Sequence, residues 1–258
     1  MPVLKEFDLT DQVALITGGA QGLGLAMATG LAEAGAHVAI GDINTQGVLD
    51  TAVILRSSGY DALGLTLDVT KQANIDQAVS EVLRVHGRID ILVNNAGITG
   101  DGDYCPEDLD GRIWDRILAV NLTGQFLCAQ TVGKVMMRQG GGKIINIASM
   151  SGLIVNRVPD RHSVAYCVSK AGVIMLTKVL AVEWVRHNIR VNAIAPTYFD
   201  TSILNPDPKV QAKRIEDIPM GRLGEPAELA GTVVYLASNA SSFVTGHTLL
   251  VDGGYTAW

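Results

Sequence analysis

Tyr166-Cys167-Val168-Ser169-Lys170 sets a phenol and an ammonium four residues apart. On a helix that spacing puts both on one face. A free phenol titrates near 10 and is a poor base at neutral pH. A fixed ammonium beside it favours the phenolate, so the pair could take a proton from an alcohol or return one to a carbonyl oxygen. Alone, Tyr-x-x-x-Lys is common on helices and needs company before it means chemistry.

A second feature supplies it. Thr17-Gly18-Gly19-Ala20-Gln21-Gly22-Leu23-Gly24 joins an apolar strand, Val13–Thr17, to a helical stretch, Leu23–Ala34. Glycines at 18, 22 and 24 let the backbone turn sharply and approach a pyrophosphate, while the helix start offers free N–H groups to the anion. The spacing is G-x-x-x-G-x-G rather than G-x-G-x-x-G, in the strand-to-helix setting that a dinucleotide loop requires. Asp42 ends the next strand, 18 residues after Gly24. A carboxylate there accepts from both ribose hydroxyls and repels a 2′-phosphate. No Lys or Arg lies between Gly18 and Gly24, or directly after Asp42, to neutralise such a phosphate. NAD rather than NADP is expected. A positive oxidised nicotinamide would further favour the Tyr166 phenolate.

The elements that must hold these groups alternate along the chain. Strands are expected at Val13–Thr17, His37–Asp42, Ala62–Asp68, Ile89–Asn94, Lys143–Ala148, Arg190–Ala195 and Thr248–Val251. Helices are expected at Leu23–Ala34, Thr45–Ser58, Gln72–His86, Arg112–Met137, Ser163–His187, Lys209–Glu216 and Pro226–Ser238. Short apolar runs without two-residue alternation suit strands buried on both faces of a parallel sheet. Strand and helix in turn give a doubly wound α/β fold with right-handed crossovers. No linker or composition break divides residues 1–258, so one domain is expected, with substrate loops near 98–111, 152–164 and 197–224.

Composition removes other classes. The 258 residues carry a net charge of -6, with 20 scattered basic side chains, which argues against nucleic acid or an anionic membrane as partner. Cys105, Cys128 and Cys167 have no CxxC spacing, and His37, His86, His162, His187 and His247 show no ligand spacing, so no metal site is expected. Residues 1–12 carry charges where a signal peptide needs an apolar core. Ala171–Val185 is interrupted by Lys178 and Glu183, short of the ~18 apolar residues of a spanning helix. A soluble cytoplasmic protein with reduced thiols is expected.

Thr17–Gly24, Asn94-Asn95-Ala96-Gly97, Asn121, Ser149 and Tyr166-x-x-x-Lys170, in that order, resemble the classical short-chain dehydrogenases/reductases, from Val13 to Val251-Asp252-Gly253-Gly254. The resemblance implies a Rossmann fold with a seven-stranded parallel sheet of order 3-2-1-4-5-6-7. It implies Tyr166 as acid/base, Lys170 lowering its pKa and holding the nicotinamide ribose, and Ser149 orienting the substrate oxygen. Asn121 would help hold a water in a proton relay to Lys170; read from the residues alone, it could instead bend its helix locally. Further cofactor contacts are implied at Gly18, Gln21, Gly22, Leu23, Gly24, Asp42, Ile43, Asp68, Val69, Asn95, Ala96, Gly97, Pro196, Thr197, Phe199 and Thr201. Two departures stand out. Pro196-Thr197 replaces the usual Pro-Gly, and the Ser149-to-Tyr166 spacing is wider than usual, the extra residues falling in 155–163.

Ser149, Ser151, Asn156, Arg157, Tyr166 and Tyr198 form the expected substrate set. Ser149-Met150-Ser151-Gly152 followed by Ile154-Val155-Asn156-Arg157 looks similar to members acting on polyols and sugars. The expected reaction is NAD-linked oxidation of a secondary alcohol or lactol of a polyol, sugar or sugar derivative. Arg157, Arg161 and His162 permit a sharper version, an anionic sugar held by a guanidinium fork, against solvated loop charges. The rivals are a 3-oxoacyl thioester or other ketone reductase of the same family, and a non-catalytic dinucleotide sensor. Apolar residues on several faces of the two long helices ask for burial, within the subunit or against another; the resemblance, which extends to the Tyr255–Trp258 ending, implies a homotetramer.

Overall fold

A computed structural model describes residues 2–100, 104–155, 157, 162–202, 204 and 207–257. Seven parallel strands form one sheet: β1 (Val13–Thr17), β2 (His37–Asp42), β3 (Ala62–Thr66), β4 (Ile91–Asn94), β5 (Gly142–Ile147), β6 (Ile189–Pro196) and β7 (Thr248–Val251). Their order is β3-β2-β1-β4-β5-β6-β7, as the resemblance implies. Alternate residues of a strand face opposite layers. Ala14 and Ile16 pack with helices α1 (Gly22–Glu33), α2 (Thr45–Ser57) and α8 (Glu228–Ala237). Val13 and Leu15 pack with α3 (Gln72–His86), α5 (Gly124–Gln139) and α6 (Val164–Trp184). Two covered faces explain the unbroken apolar runs.

Winding reverses between β1 and β4, where Thr17 pairs with Asn94. The loops leaving these strands diverge there and open a crevice at the carboxyl ends of the sheet. The glycine loop and the Asn94–Gly97 turn therefore share one rim.

Most boundaries shift by a residue or two, and three of the differences have local reasons. β3 stops at Thr66 because the Asp68 carboxylate accepts from the Thr70 amide and hydroxyl, turning the chain out of the ladder. β4 begins at Ile91 because Asp90 turns its carboxylate onto the Val13 amide at 3.0 Å. The expected helix Arg112–Met137 is interrupted: α4 (Gly111–Leu118) and α5 flank a π turn, Ala119–Thr123, with Asn121 fully buried in it. α7 (Pro208–Glu216) is capped by Asp207, whose carboxylate accepts from the Lys209 amide.

The helical segment Val164–His187 is long and apolar enough to cross a membrane by length and composition, with mean hydropathy 1.5, despite Lys178 and Glu183. In the fold its core face, including Val173, Thr177 and Leu180, is buried against the sheet.

Candidate active site

The glycine loop is built to bring backbone, not side chains, to a ligand. Gly18 has φ +65° and donates to the Gly41 carbonyl at 2.7 Å. A Cβ on Gly24 would collide with the Gly18 carbonyl oxygen and the Asn95 amide. Asn95 Nδ2 closes the turn, donating to the Thr17 and Gly18 carbonyls at 3.0 and 2.7 Å. The N-terminus of α1 has no side-chain cap, so its first N–H groups remain for an anion. This cradle fits a dinucleotide pyrophosphate.

The loop forms one end of a cleft of about 1530 Å³, above the ~300–1,000 Å³ typical of small-ligand pockets and room for a dinucleotide with a second molecule. Every residue assigned to the cofactor from the sequence lies on its wall, from Gly18 through Asp42 and Val69 to Thr201. Asp42 accepts from the Ala20 amide at 3.1 Å and the Asn44 amide at 2.9 Å, which fixes its carboxylate at the rim. Ile43, 71% exposed, stands beside it. The Asp68 carboxyl lies below its ordinary value, chiefly through the Thr70 hydroxyl.

Ser149, Tyr166 and Lys170 line the other end together. Ser149 follows β5 and accepts from the Ser151 amide at 3.2 Å. Lys170 is buried; its Nζ donates to the Ile147 carbonyl at 2.8 Å and lies 5.6 Å from the Tyr166 ring centre. Burial pushes the Lys170 ammonium down to about 8.

Asn121 is not on the cleft wall. Its side-chain carbonyl accepts from the Ile98 amide at 2.8 Å, and its Nδ2 donates to the Ile98 carbonyl and to Ser169 Oγ at 2.9 and 3.2 Å. Ser169 Oγ in turn donates to the Tyr166 carbonyl at 2.7 Å. Asn121 thus ties the loop after β4 to the helix carrying Tyr166.

Of the substrate set, Ser151 and Tyr198 join Ser149 and Tyr166 on the cleft. Arg157 does not. It is exposed, and its amide donates to the Tyr255 hydroxyl at 2.9 Å. Asn156 and Arg161 lie outside the described residues, and His162 is exposed. The hydroxyl that Thr197 brings in place of a glycine donates to Met150 Sδ at 2.9 Å, fastening the loop after β6 to the residue following Ser149.

Sequence reasoning passed over Arg116 and Arg214, both on the cleft wall. It also passed over Gln125, Asn146 and Thr177, which are buried and hydrogen-bonded behind it. Polar residues inside otherwise apolar segments were the available signal. The histidines hold a surprise too. His37, Asp61 and His86 come within 4.8 Å of one another at the amino ends of the strands. The two rings stack at 5.4 Å with planes 24° apart, and their Nδ1 atoms lie 2.7 and 3.9 Å from one Asp61 carboxylate oxygen.

Residues 18–256 match the family described as Enoyl-(Acyl carrier protein) reductase. The chain is 44% identical over 257 residues to an NAD-dependent glycerol dehydrogenase of Listeria innocua, covering 98% of this chain and 96% of that one. A short-chain type dehydrogenase/reductase from Mycobacterium marinum superimposes with a TM-score of 0.95 at 41% identity, covering 99% and 100%. A gluconate 5-dehydrogenase from Burkholderia cenocepacia, solved with NADP and tartrate, superimposes at 0.91 with 39% identity, covering 99% of each chain. With a dinucleotide cradle, a Ser-Tyr-Lys group on the same cleft and relatives matched end to end, the chain belongs to the short-chain dehydrogenase/reductase family and is an oxidoreductase acting on alcohols.

Proposed function

We propose that this chain oxidises a secondary alcohol or lactol of a polyol, sugar or sugar derivative with NAD, residues 1–258 acting as one dinucleotide-binding and catalytic unit. The observation that carries the reading is the convergence of Ser149, Tyr166 and Lys170 on the cleft that the glycine loop opens. The bound dinucleotide supplies the hydride acceptor. The Tyr166 phenolate takes the hydroxyl proton as general base, and Lys170 favours that phenolate and holds the cofactor ribose. Ser149 donates to the substrate oxygen and steadies charge developing on it. Asn121, through Ile98 and Ser169, positions this group and supports the relay toward Lys170.

NAD is favoured over NADP because a carboxylate held at the end of β2, as Asp42 is by the Ala20 and Asn44 amides, would repel a 2′-phosphate. The cleft's two arginines come from α4 and α7, not from the segments flanking Asp42. The Listeria relative is named for NAD, whereas the Burkholderia structure holds NADP. Ser149, Ser151, Thr197 and Tyr198 give the substrate end hydroxyls suited to a polyol. Free cysteines at 105, 128 and 167 suit the reducing cytoplasm. Met175, Val179 and Val182, between 50% and 75% exposed on α6, support association into a homotetramer.

NADH formation should be followed across alditols, aldoses and aldonates, with NAD and then NADP, and with Tyr166→Phe as control. NAD-linked turnover that falls at least about 100-fold in the control is expected for loss of a general base. Turnover of a 3-oxoacyl thioester, with none on any sugar or polyol, would overturn the substrate reading and leave the fold and cofactor site intact.

A further inference from the structure

Arg214 lies on α7, and its guanidinium stacks over the Tyr198 ring with 4.9 Å from carbon to ring centre. Both residues line the cleft. Tyr198 packs edge-on against Tyr255 at 5.9 Å and belongs to the same apolar cluster as Met150, the neighbour of Ser149. The stack therefore stands beside the reacting group rather than at the pyrophosphate cradle.

Among the described residues the guanidinium has the Tyr198 ring as its stacking partner and no carboxylate paired with it. Its Nε and Nη1 are buried and make no hydrogen bond. Of the acids on the same turn, Glu216 pairs with Lys213 Nζ at 2.8 Å, while Asp217 has one oxygen 3.9 Å from that ammonium and the other buried without a hydrogen-bond partner; neither accepts from Arg214. An N–H taken from water without a partner is costly, and a planar guanidinium held by an aromatic face is already oriented for a two-pronged acceptor.

We infer that Arg214 is the specificity determinant for a carboxylate on the substrate, which makes the substrate class a sugar acid rather than a neutral polyol. This rests on the dehydrogenase reading above and moves onto α7 the guanidinium fork that Arg157, Arg161 and His162 permitted as an alternative to solvated loop charges. The carboxylate accepts from the Arg214 fork, while a hydroxyl further along the same molecule meets Ser149 and Tyr166.

The test compares kcat/KM for an aldonate and the alditol of equal chain length, both with saturating NAD, in the wild type, Arg214→Met and Arg214→Lys. The wild type is expected to prefer the aldonate. In Arg214→Met the aldonate-to-alditol ratio should fall about 10- to 150-fold, mainly through KM, the range that charge-assisted hydrogen bonds of ~1.5–3 kcal/mol span. Arg214→Lys should recover part of it. Calorimetric titration of the aldonate into the NADH complex reads the same loss without turnover, and a melting curve certifies each variant as folded. An unchanged ratio in folded Arg214→Met overturns the inference, as does a wild type that prefers alditols. A rise in the KM for NAD with the ratio constant would instead assign Arg214 to the cofactor, which also overturns it. Absence of turnover on aldonates and alditols alike is the separate failure of the dehydrogenase reading.

Discussion

Lys170 should be a liability to the fold and indispensable to the chemistry, and the two can be separated by replacing it with methionine. Its ammonium is buried, with the Ile147 carbonyl at 2.8 Å as its hydrogen-bond acceptor, and burial lowers it from 10.5 to about 8. A drop of that size corresponds to about 3 kcal/mol held against the charged form at neutral pH. Methionine removes the charge and fills similar space, but leaves the Ile147 carbonyl without that donor, a loss of ~1 kcal/mol. Without cofactor, Lys170→Met should therefore be more stable at pH 7 by about 2 kcal/mol, or ~4–8 °C in melting temperature. The sign reverses with pH. Between about 8 and 10.5 the unfolded lysine keeps its proton while the folded one has lost it, so wild-type stability rises through that window. The variant lacks this rise, so its advantage should shrink through the window and become a deficit of ~1 kcal/mol above it, the lost hydrogen bond alone remaining. Urea unfolding of both proteins at one concentration, from pH 7 to 10.5, measures the difference and cancels groups common to both. An advantage for the wild type at pH 7, or a difference that does not change with pH, would refute the reasoning. NAD-linked turnover should be lost in the variant throughout.

Two further substitutions probe the other end of the cleft and its scaffold. Asp42→Ala removes the carboxylate that would repel a 2′-phosphate, so the NAD-over-NADP ratio of kcat/KM should fall at least ~10-fold, equivalent to 1.4 kcal/mol; steady-state kinetics with both cofactors reads it. Asn121→Leu removes the side-chain partners of the Ile98 amide and carbonyl in the partly buried loop after β4. It should cost ~1–3 kcal/mol in urea unfolding and lower kcat, because Ser169 loses a donor while it holds the Tyr166 carbonyl.

The parts of the site legible in the sequence are those encoded by neighbours along the chain. A glycine loop announces itself because its conformation depends on residues within one turn. Asp42 is legible because a strand end fixes where its carboxylate must stand. Tyr166 and Lys170 are legible because helical spacing aligns them. What escaped depends on elements that meet only in space. The π turn at Ala119–Thr123 leaves no mark in an apolar periodicity that continues from α4 into α5. It is stabilised from outside, by Asn121 bonding to Ile98 and Ser169. Arg157 looked placed for substrate because it follows Ser149 closely, yet its amide goes to Tyr255 and its side chain is exposed. Arg214 looked like one more charge on a polar helix. Only the fold shows that Tyr198 receives it and that Glu216 on the same helix pairs with Lys213 instead.

The scaffold behind the site is polar where apolar packing would have been more stable. The Ile147 carbonyl at the end of β5 accepts from Lys170 and from Gln125 of α5 at 3.2 Å. One residue earlier, Asn146 accepts from Asn94 of β4 at 2.9 Å and donates to Thr177 of α6 at 2.9 Å. Both sit within three residues of Ser149. Apolar side chains would hold these elements together at lower cost, since the carbonyl oxygens of Asn94 and Gln125 are buried without partners. Apolar contact, however, is non-directional and tolerates sliding, whereas hydrogen bonds between β4, β5, α5 and α6 fix where each element stands relative to the next. Proton transfer needs Ser149, Tyr166 and the substrate oxygen within hydrogen-bond reach of one another. The buried amides and the buried ammonium thus serve the same end: stability is given up where it would have left the geometry loose, which is why stabilising Lys170→Met and losing catalysis are expected to be one event.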